Sequence, residues 1–186
     1  MQVILVDPDA QALEAMAEHI RREEPQAVIH TFPDREALGR WMEGEHPQPL
    51  RVQTFGNFEV FWGDQPVRFE RSKTRELFAY LIDRRGAGST MGELVSVLWE
   101  GQPDTASLRS QLRSLIADLR AAFRALGAEN VIRKGRDHIA VDPARVDCDY
   151  YRYLAGEKAA RSAFRGEYMS NYSWAEITVG SLQQKK

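Results

Sequence analysis

The sequence predicts an α+β fold, in which strands and helices are largely separated along the chain. Short runs rich in β-branched and aromatic residues cluster at residues 52–69, ahead of three stretches whose apolar residues recur at helical spacing. Residues 131–141 then return to the strand pattern, with basic residues at their centre. A separate β-α-β-α pattern opens the chain at residues 1–46.

The composition is typical of a globular protein. The chain has 186 residues, 43% of them hydrophobic, which is room for one domain plus extensions or for two small domains. No apolar run approaches the roughly 20 residues that cross a bilayer. The N-terminal sequence lacks the features of an export signal, and Cys148 is the only cysteine, which fits a reducing compartment. We therefore expect a cytoplasmic protein without membrane contact.

The first segment has the pattern of two parallel strands alternating with two helices. Val3 to Val6 is a β-branched run, and Ala27 to Phe32 is predicted as the second strand. Between them, residues 10–23 carry apolar side chains at helical spacing, and Asp34 is placed to cap the second helix. So small a unit buries little surface. We expect it to be marginally stable, to lean on the rest of the chain, or to pair its open sheet edge with another copy.

The middle of the chain is predicted to form a small antiparallel sheet followed by two helices. The strand-type residues, punctuated by glycine turns, are Val52, Phe55, Phe58, Val60, Trp62, Val67 and Phe69. Ser72 is placed to cap a helix over Lys73 to Arg84. Thr90, with Glu93 three residues later, forms a capping-box pattern for the next helix.

A third helix is predicted over Asp104 to Leu126. Its apolar residues form one stripe: Leu108, Leu112, Leu115, Ile116, Leu119 and Phe123. One flank carries Arg109, Arg113, Arg120 and Arg124, with the small residues Ser110, Ser114 and Ala117 outward between them. A helix that is apolar on one side, with small residues and arginines on the other, fits a DNA major groove. The same pattern also fits a surface helix with solvated arginines.

The residues after this helix favour DNA binding. VIRKGRDHIAV, residues 131–141, is predicted as a hairpin whose turn carries Arg133, Lys134, Gly135 and Arg136. A long helix followed by a basic hairpin is the outline of a winged helix. Thr105 and Ser107, near the helix N-terminus, can place a hydroxyl or a backbone N–H on phosphate. Arg120 lies nearer the apolar stripe, where it meets phosphate or an acidic partner such as Glu93.

The charge distribution permits binding of nucleic acid without demonstrating it. The net charge is −2, but residues 1–50 carry 4 Lys/Arg against 10 Asp/Glu, whereas residues 51–142 carry 14 against 12. A DNA-binding protein need not be basic overall if its basic groups are concentrated on one face.

Four segments then follow one another in a specific order: FGNFEV, RSKTRELFAYLIDRRG, ELVSVLW and SLRSQLRSLIADLR. With a wing that ends in VD, they closely resemble the DNA-binding domain of SARP-class transcriptional regulators, an OmpR-type winged helix. The resemblance covers Leu50 to Asp149 and implies that the third helix enters the major groove and the wing the adjoining minor groove. By position it implies DNA contacts from Arg109, Ser110, Arg113, Ser114, Arg133, Lys134 and Arg136. It also implies two copies bound to a direct repeat.

The tail extends this resemblance. DCDYYRYLAG and AFRGEYMSNYSWAE are similar to the start of the helical transcriptional-activation domain that follows the winged helix in the family. In the family, the loop between the second and third helices faces RNA polymerase. This implies Glu100 and Gln102 as exposed polymerase contacts, because Trp99 is expected to pack inward. The helical spacing of the tail's tyrosines favours packing against the winged helix over base stacking.

The apolar run Val3 to Val6, closed by Asp7-Pro8-Asp9, resembles the opening of a response-regulator receiver domain. Asp7 and Asp9 match part of the acidic cluster that helps such domains hold Mg²⁺, but Pro8 stands where a second acidic residue is usual. The strand that bears the phospho-acceptor should come next after the second helix, and HPQP occupies that place. The resemblance therefore implies a two-component response regulator with a shortened receiver, not gated by phosphorylation. Strand-end and helix-capping roles are the alternative for the two aspartates.

No catalytic arrangement is evident in the sequence. His19, His30, His46 and His138 lie far apart without metal-ligand spacing, and no phosphate-binding glycine loop is present. We expect a non-enzymatic regulator of transcription that binds double-stranded DNA without a cofactor. The expected division is a receiver-like fragment at 1–46, a linker at 47–50, the winged helix at 51–149 and a helical tail at 150–186. The alternative function is a protein-interaction adaptor that pairs with a full-length regulator or RNA polymerase and binds DNA poorly.

Overall fold

The computed structural model of the chain describes residues 2–25, 27–42 and 50–184. The chain separates into two compact units, Met1–Pro47 and Gln48–Lys186, called unit 1 and unit 2 below. The predicted linker at 47–50 falls outside the described residues except for Leu50. Within the described ranges, no helix has the length and apolar character needed to cross a membrane.

Unit 1 has the predicted β-α-β-α order. Its elements are β1 (Gln2–Val6), α1 (Ala10–Glu23), β2 (Val28–Phe32) and α2 (Arg35–Met42). The two strands pair in parallel from Gln2 with Val28 to Val6 with Phe32. A two-residue alternation leaves Ile4 and Val6 exposed on one face of β1.

Asp7 and Asp9 bind backbone N–H groups between β1 and α1. Asp9 Oδ1 accepts hydrogen bonds from the backbone N–H of Gln11 at 2.8 Å and of Ala12 at 3.3 Å, which caps α1. Asp7 Oδ1 accepts from the Asp9 N–H at 2.8 Å. These contacts match the strand-end and capping roles. Within the described ranges, no cluster of three or more His, Cys, Asp or Glu side chains is arranged to hold a metal ion.

Unit 2 combines strands, three long helices and a helical tail. In chain order its elements are β3 (Leu50–Gln53), β4 (Glu59–Trp62), β5 (Gln65–Pro66), α3 (Ser72–Asp83), β6 (Ser89–Thr90), α4 (Met91–Leu98), α5 (Ala106–Ala125), β7 (Ile132–Lys134), β8 (His138–Val141), β9 (Val146–Cys148), α6 (Asp149–Leu154), α7 (Lys158–Ala163) and α8 (Glu176–Gln183). One sheet has the order β5-β4-β3-β9, and a second has the order β6-β8-β7. The predicted order of sheet, three helices and hairpin is present.

Three local predictions need correction. The short strand expected at Val67 and Phe69 is β5, which lies at Gln65–Pro66. Ser72 does not cap α3, because α3 begins at Ser72 and its N-cap residue, Arg71, makes no side-chain capping bond. Two strands were also missed, since β9 pairs in parallel with β3 and β6 pairs with β8. Each is two or three residues long, too short for an alternating pattern to show.

The core of unit 2 lies between the sheet and helices α3, α4 and α5. Phe78 of α3 and Phe123 of α5 are fully buried, with ring centroids 4.8 Å apart. The predicted stripe of α5 is buried at Leu108, Leu112, Leu115, Leu119 and Phe123, and Ile116 is partly buried. Burial of each such side chain contributes about 1.5–3 kcal/mol. This packing fixes which side of α5 faces outward.

The tail packs against the rest of unit 2 through its tyrosines, as predicted. Tyr151 donates its hydroxyl to the Ile82 carbonyl at 2.8 Å, and Tyr168 donates to Asp83 Oδ1 at 2.8 Å. Asp149, at the start of α6, accepts from the Thr54 N–H at 2.9 Å. The same carboxylate also accepts from the Thr54 hydroxyl and the Phe55 N–H. The first sheet and the tail therefore share one core.

Candidate nucleic-acid interface

Helix α5 presents a polar face because its apolar stripe is buried. The helix begins after Thr105, whose side-chain oxygen accepts from the Leu108 N–H at 3.3 Å. Thr105 was expected to meet phosphate, and the cap leaves its hydroxyl hydrogen free to donate. Ser107, Ser110 and Ser114 are exposed, with the Ser114 hydroxyl 3.4 Å from the Ser110 carbonyl.

The four arginines of α5 are exposed and lie along one line of the helix. Their spacings of four, seven and four residues place them within an arc of about 60°. Arg113, Arg120 and Arg124 make no ion pair with a carboxylate in the described part of the chain. The suggested contact of Arg120 with Glu93 is wrong. Glu93 Oε1 instead accepts from the Tyr80 hydroxyl at 2.8 Å and lies 3.3 Å from Arg84 Nε.

The predicted wing is the antiparallel hairpin of β7 and β8. Lys134 pairs with Ile139, and the Gly135 N–H donates to the His138 carbonyl at 2.9 Å. Arg136 therefore lies in the tight turn, where it is exposed. A Cβ atom at Gly135 would lie 2.6 Å from His138 Nε2, so the imidazole fills the space that a side chain at 135 would need.

Helix α5 and the wing line one cleft of about 350 Å³. Arg109 of α5 and Lys134 and Arg136 of the wing lie in its wall. Three predicted site residues thus meet in one place. The other α5 candidates, namely Thr105, Ser107, Ser110, Arg113, Ser114 and Arg120, are exposed along the helix outside the cleft wall, as is Arg133 on the wing. Sequence reasoning missed His138, Ser89 and Thr90, which also line the cleft.

Arg109 has a partner that the sequence analysis did not foresee. Its Nε donates to Asp104 Oδ1 at 2.8 Å, and its Nη2 donates to Asp104 Oδ2 at 2.6 Å. The hydrogen bond from Arg109 lowers the pKa of the Asp104 carboxyl, and the same bond raises the pKa of the Arg109 guanidinium. Asp104 and Arg109 are five residues apart in the sequence. This separation indicates a contact only when α5 is known to begin at Ala106, after Asp104.

The loop between α4 and α5 has the predicted exposure. Trp99 is partly buried against the core, whereas Glu100 and Gln102 are exposed. The Ser173 hydroxyl of the tail lies 3.4 Å from Glu100 Oε2. Contact of this loop with RNA polymerase stays a prediction.

Cys148 is buried, and burial raises the pKa of its thiol, so the thiol is unreactive at neutral pH.

No protein-family model matches the chain, and a comparison with curated proteins finds no match. Among solved structures, the chain is similar to Mycobacterium tuberculosis EmbR in complex with a low-affinity phosphopeptide. The TM-score is 0.62 and the sequence identity 20%, over 74% of this chain and 42% of that chain. The chain thus matches less than half the length of that protein. This likeness shows a shared α+β fold and supports the SARP-like fold that the sequence predicts.

Proposed function

We propose that the chain is a sequence-specific DNA-binding regulator of transcription, without enzymatic activity. The observation that carries the proposal is the cleft that joins Arg109 of α5 with Lys134 and Arg136 of the wing. In this proposal α5 lies in the major groove and the wing reaches the adjoining minor groove. The buried stripe of α5 and the exposed small residues Ser110 and Ser114 support this orientation, because they leave a narrow polar edge.

The two sets of basic groups have different roles in the proposed complex. Arginines near the N-terminus of a recognition helix reach base edges, where one bidentate contact to guanine provides about 1–3 kcal/mol of discrimination. Exposed cations such as Arg113, Arg133 and Lys134 contact phosphate, which provides affinity and a dependence on salt. The overall charge of −2 does not oppose this, since a DNA-binding protein need not be basic overall if the basic groups that contact DNA share one face.

Several further properties belong to the proposal. The resemblance of residues 50–149 to SARP-class regulators supports binding of two copies to direct-repeat DNA and contact of Glu100 and Gln102 with RNA polymerase. We place the protein in the cytoplasm and propose that phosphorylation of unit 1 does not gate it. Asp7 and Asp9 support this last point, because both carboxylates already accept backbone N–H groups at a strand end and a helix start.

Selection on random duplexes tests the proposal. The whole chain is incubated with a library of random double-stranded DNA, bound duplexes are recovered over several rounds, and the enriched sequences are read. We expect one repeated motif to be enriched, at a spacing of about one helical turn between copies if two molecules bind. An Arg109→Ala and Arg136→Ala double variant is the control, and it should enrich no motif. A wild-type pool that stays random would refute sequence-specific binding.

A second candidate function is that of an adaptor that associates through unit 1. The observation in its favour is the exposed apolar side chains of Ile4, Val6 and Met16, which leave 44%, 38% and 39% of their surfaces open to solvent. Light scattering on the whole chain and on an Ile4→Thr and Val6→Thr double variant tests it. The adaptor requires a concentration-dependent dimer that the double variant abolishes. A monomer in both cases would remove self-association.

A further inference from the structure

Asp104 holds one edge of the Arg109 guanidinium. The carboxylate receives two parallel hydrogen bonds, from Nε at 2.8 Å and from Nη2 at 2.6 Å. Both side chains are at the surface, with 49% of Arg109 and 33% of Asp104 exposed. Asp104 directly precedes Thr105, the residue that caps α5, and Arg109 lies in the helix just past its first turn.

The geometry of the guanidinium determines which donors remain free. Arginine has five N–H groups in a rigid plane, and Asp104 uses one on Nε and one on Nη2. Of the other three, one on Nη1 and one on Nη2 form the adjacent end edge and stay available as a second fork. Such a fork matches two acceptors held side by side, as O6 and N7 are on a guanine. Because Asp104 already orders the side chain, a contact on that edge loses less conformational entropy.

The charge of this pair separates Arg109 from its neighbours on α5. Together Asp104 and Arg109 are neutral, so they gain little from a phosphate, and the carboxylate repels it. Arg113 and Arg120 have no carboxylate partner among the described residues and keep their full charge. A neutral pair with directed donors suits the uncharged edge of a base, whereas an unpaired arginine suits the DNA backbone.

We propose that Asp104 is a positioning residue for sequence recognition, which turns the free edge of Arg109 toward a guanine. This inference rests on the proposed function and deepens it, since it divides the arginine flank of α5 into one base reader and several phosphate contacts. Asp104 would thus contribute to sequence specificity although it carries the same sign of charge as DNA.

The test compares the wild type and four variants on the duplex recovered by selection and on a scrambled duplex. The variants are Asp104→Asn, Arg109→Ala and the two combined, and the matched control is Asp137→Asn. Asp137 is an exposed aspartate in the wall of the cleft that Arg109 lines, so its substitution removes the same charge. Affinity is measured by fluorescence anisotropy over a range of salt concentrations. Each duplex is also prepared with 7-deazaguanine, which lacks N7.

For Asp104→Asn we expect the preference for the selected duplex to fall about tenfold or more, because one bidentate contact is disordered. Affinity for the scrambled duplex should rise and its salt slope should steepen by about one, since the lost carboxylate frees one cation for phosphate. Asp137 has no ion-pair partner among the described residues, so Asp137→Asn should raise the affinity for the scrambled duplex only by removing a negative charge, without the steeper slope and without the loss of preference. Adding Asp104→Asn to Arg109→Ala should change the preference no further. The wild type should be sensitive to 7-deazaguanine, and both single variants of the pair should be insensitive.

The outcomes test the positioning role of Asp104 and the proposed DNA binding separately. If Asp104→Asn keeps both the wild-type preference and the sensitivity to 7-deazaguanine, the positioning role is wrong while DNA recognition stands. If the wild type has no preference for any duplex, the proposed function is wrong and this inference falls with it. Far-ultraviolet circular dichroism on each variant verifies the fold. A misfolded Asp104→Asn would place Asp104 in the folding of α5 and would overturn the positioning role.

Discussion

The hydrogen bonds that stabilise the two compact units join residues at very different separations along the chain. In unit 1 the capping carboxylate of Asp9 reaches only Gln11 and Ala12, and two strands form the whole described sheet. In unit 2 the carboxylate of Asp149 reaches Thr54, 95 residues away, and joins the tail to the first sheet. Unit 1 therefore depends on local patterns, whereas the packing of unit 2 depends on contacts between residues far apart in the sequence.

The largest effect on stability is expected from a substitution that creates a cavity in the core of unit 2. Phe123 is fully buried between Phe78 and Phe69, so Phe123→Ala should lower the free energy of unfolding of unit 2 by about 3–5 kcal/mol. Urea unfolding followed by tyrosine fluorescence measures this, because all six tyrosines belong to unit 2. Leu13→Ala in unit 1 is the control, and the tyrosine transition should keep its midpoint. Equal shifts from both variants would mean that the two units unfold as one.

The next largest effects are expected from removing the carboxylates of Asp149 and Asp9. Asp149→Ala leaves the N–H groups of Thr54 and Phe55 without their acceptor, and we expect it to cost about 2–4 kcal/mol. Asp9→Ala removes a helix cap and should cost about 1 kcal/mol, confined to unit 1. Hydrogen exchange followed by mass spectrometry reports each unit separately. Slower or unchanged exchange in β3 of the Asp149 variant would contradict the long-range role.

A further effect is expected at alkaline pH. Burial raises the pKa of Tyr80 to about 12, and burial also raises the pKa values of Tyr151 and Tyr168. The folded state therefore keeps these protons where the unfolded state, with a pKa near 10, has lost them. Their contribution to stability is complete below pH 10 and is lost as pH rises through the folded-state pKa values.

Urea unfolding at pH 9, 10 and 11 measures this loss. Each buried tyrosine lowers the stability of unit 2 by about 1.4 kcal/mol per pH unit above its unfolded pKa. Unit 1 contains no tyrosine and should not share this dependence. Replacing Tyr80 with Phe should make the slope shallower. A stability of unit 2 that does not change between pH 9 and 11 would contradict the burial of these hydroxyls.

Local sequence signals predict much of the fold. The caps at Asp9 and Thr90 lie where short-range rules place them, since each side chain accepts from an N–H only two or three residues away. The buried stripe of α5 follows from helical spacing alone. The rules failed at Ser72, where the chain enters α3 one residue earlier and Arg71 takes the capping position.

Features that depend on distant pairing could not be predicted. Val146–Cys148 carries no alternating pattern and is a strand only because it lies beside β3, almost 100 residues away. The candidate site shows the same limit. The sequence named Arg109, Lys134 and Arg136 separately, but only the pairing of β6, β7 and β8 brings the wing beside α5 and adds His138 and Ser89 to the cleft. The Asp104 partner of Arg109 was likewise hidden, because it depends on the exact start of a helix.

Salt-dependent DNA binding tests the central claim most directly. Arg113→Ala and Lys134→Ala together remove two exposed cations, one from α5 and one from the wing, and a double variant of Arg161→Ala and Arg165→Ala in the tail is the matched control. The plot of log affinity against log salt should become shallower by about two for the first double variant and stay unchanged for the second. Equal slopes for the wild type and both double variants would contradict a DNA-binding surface made by the third helix and the wing.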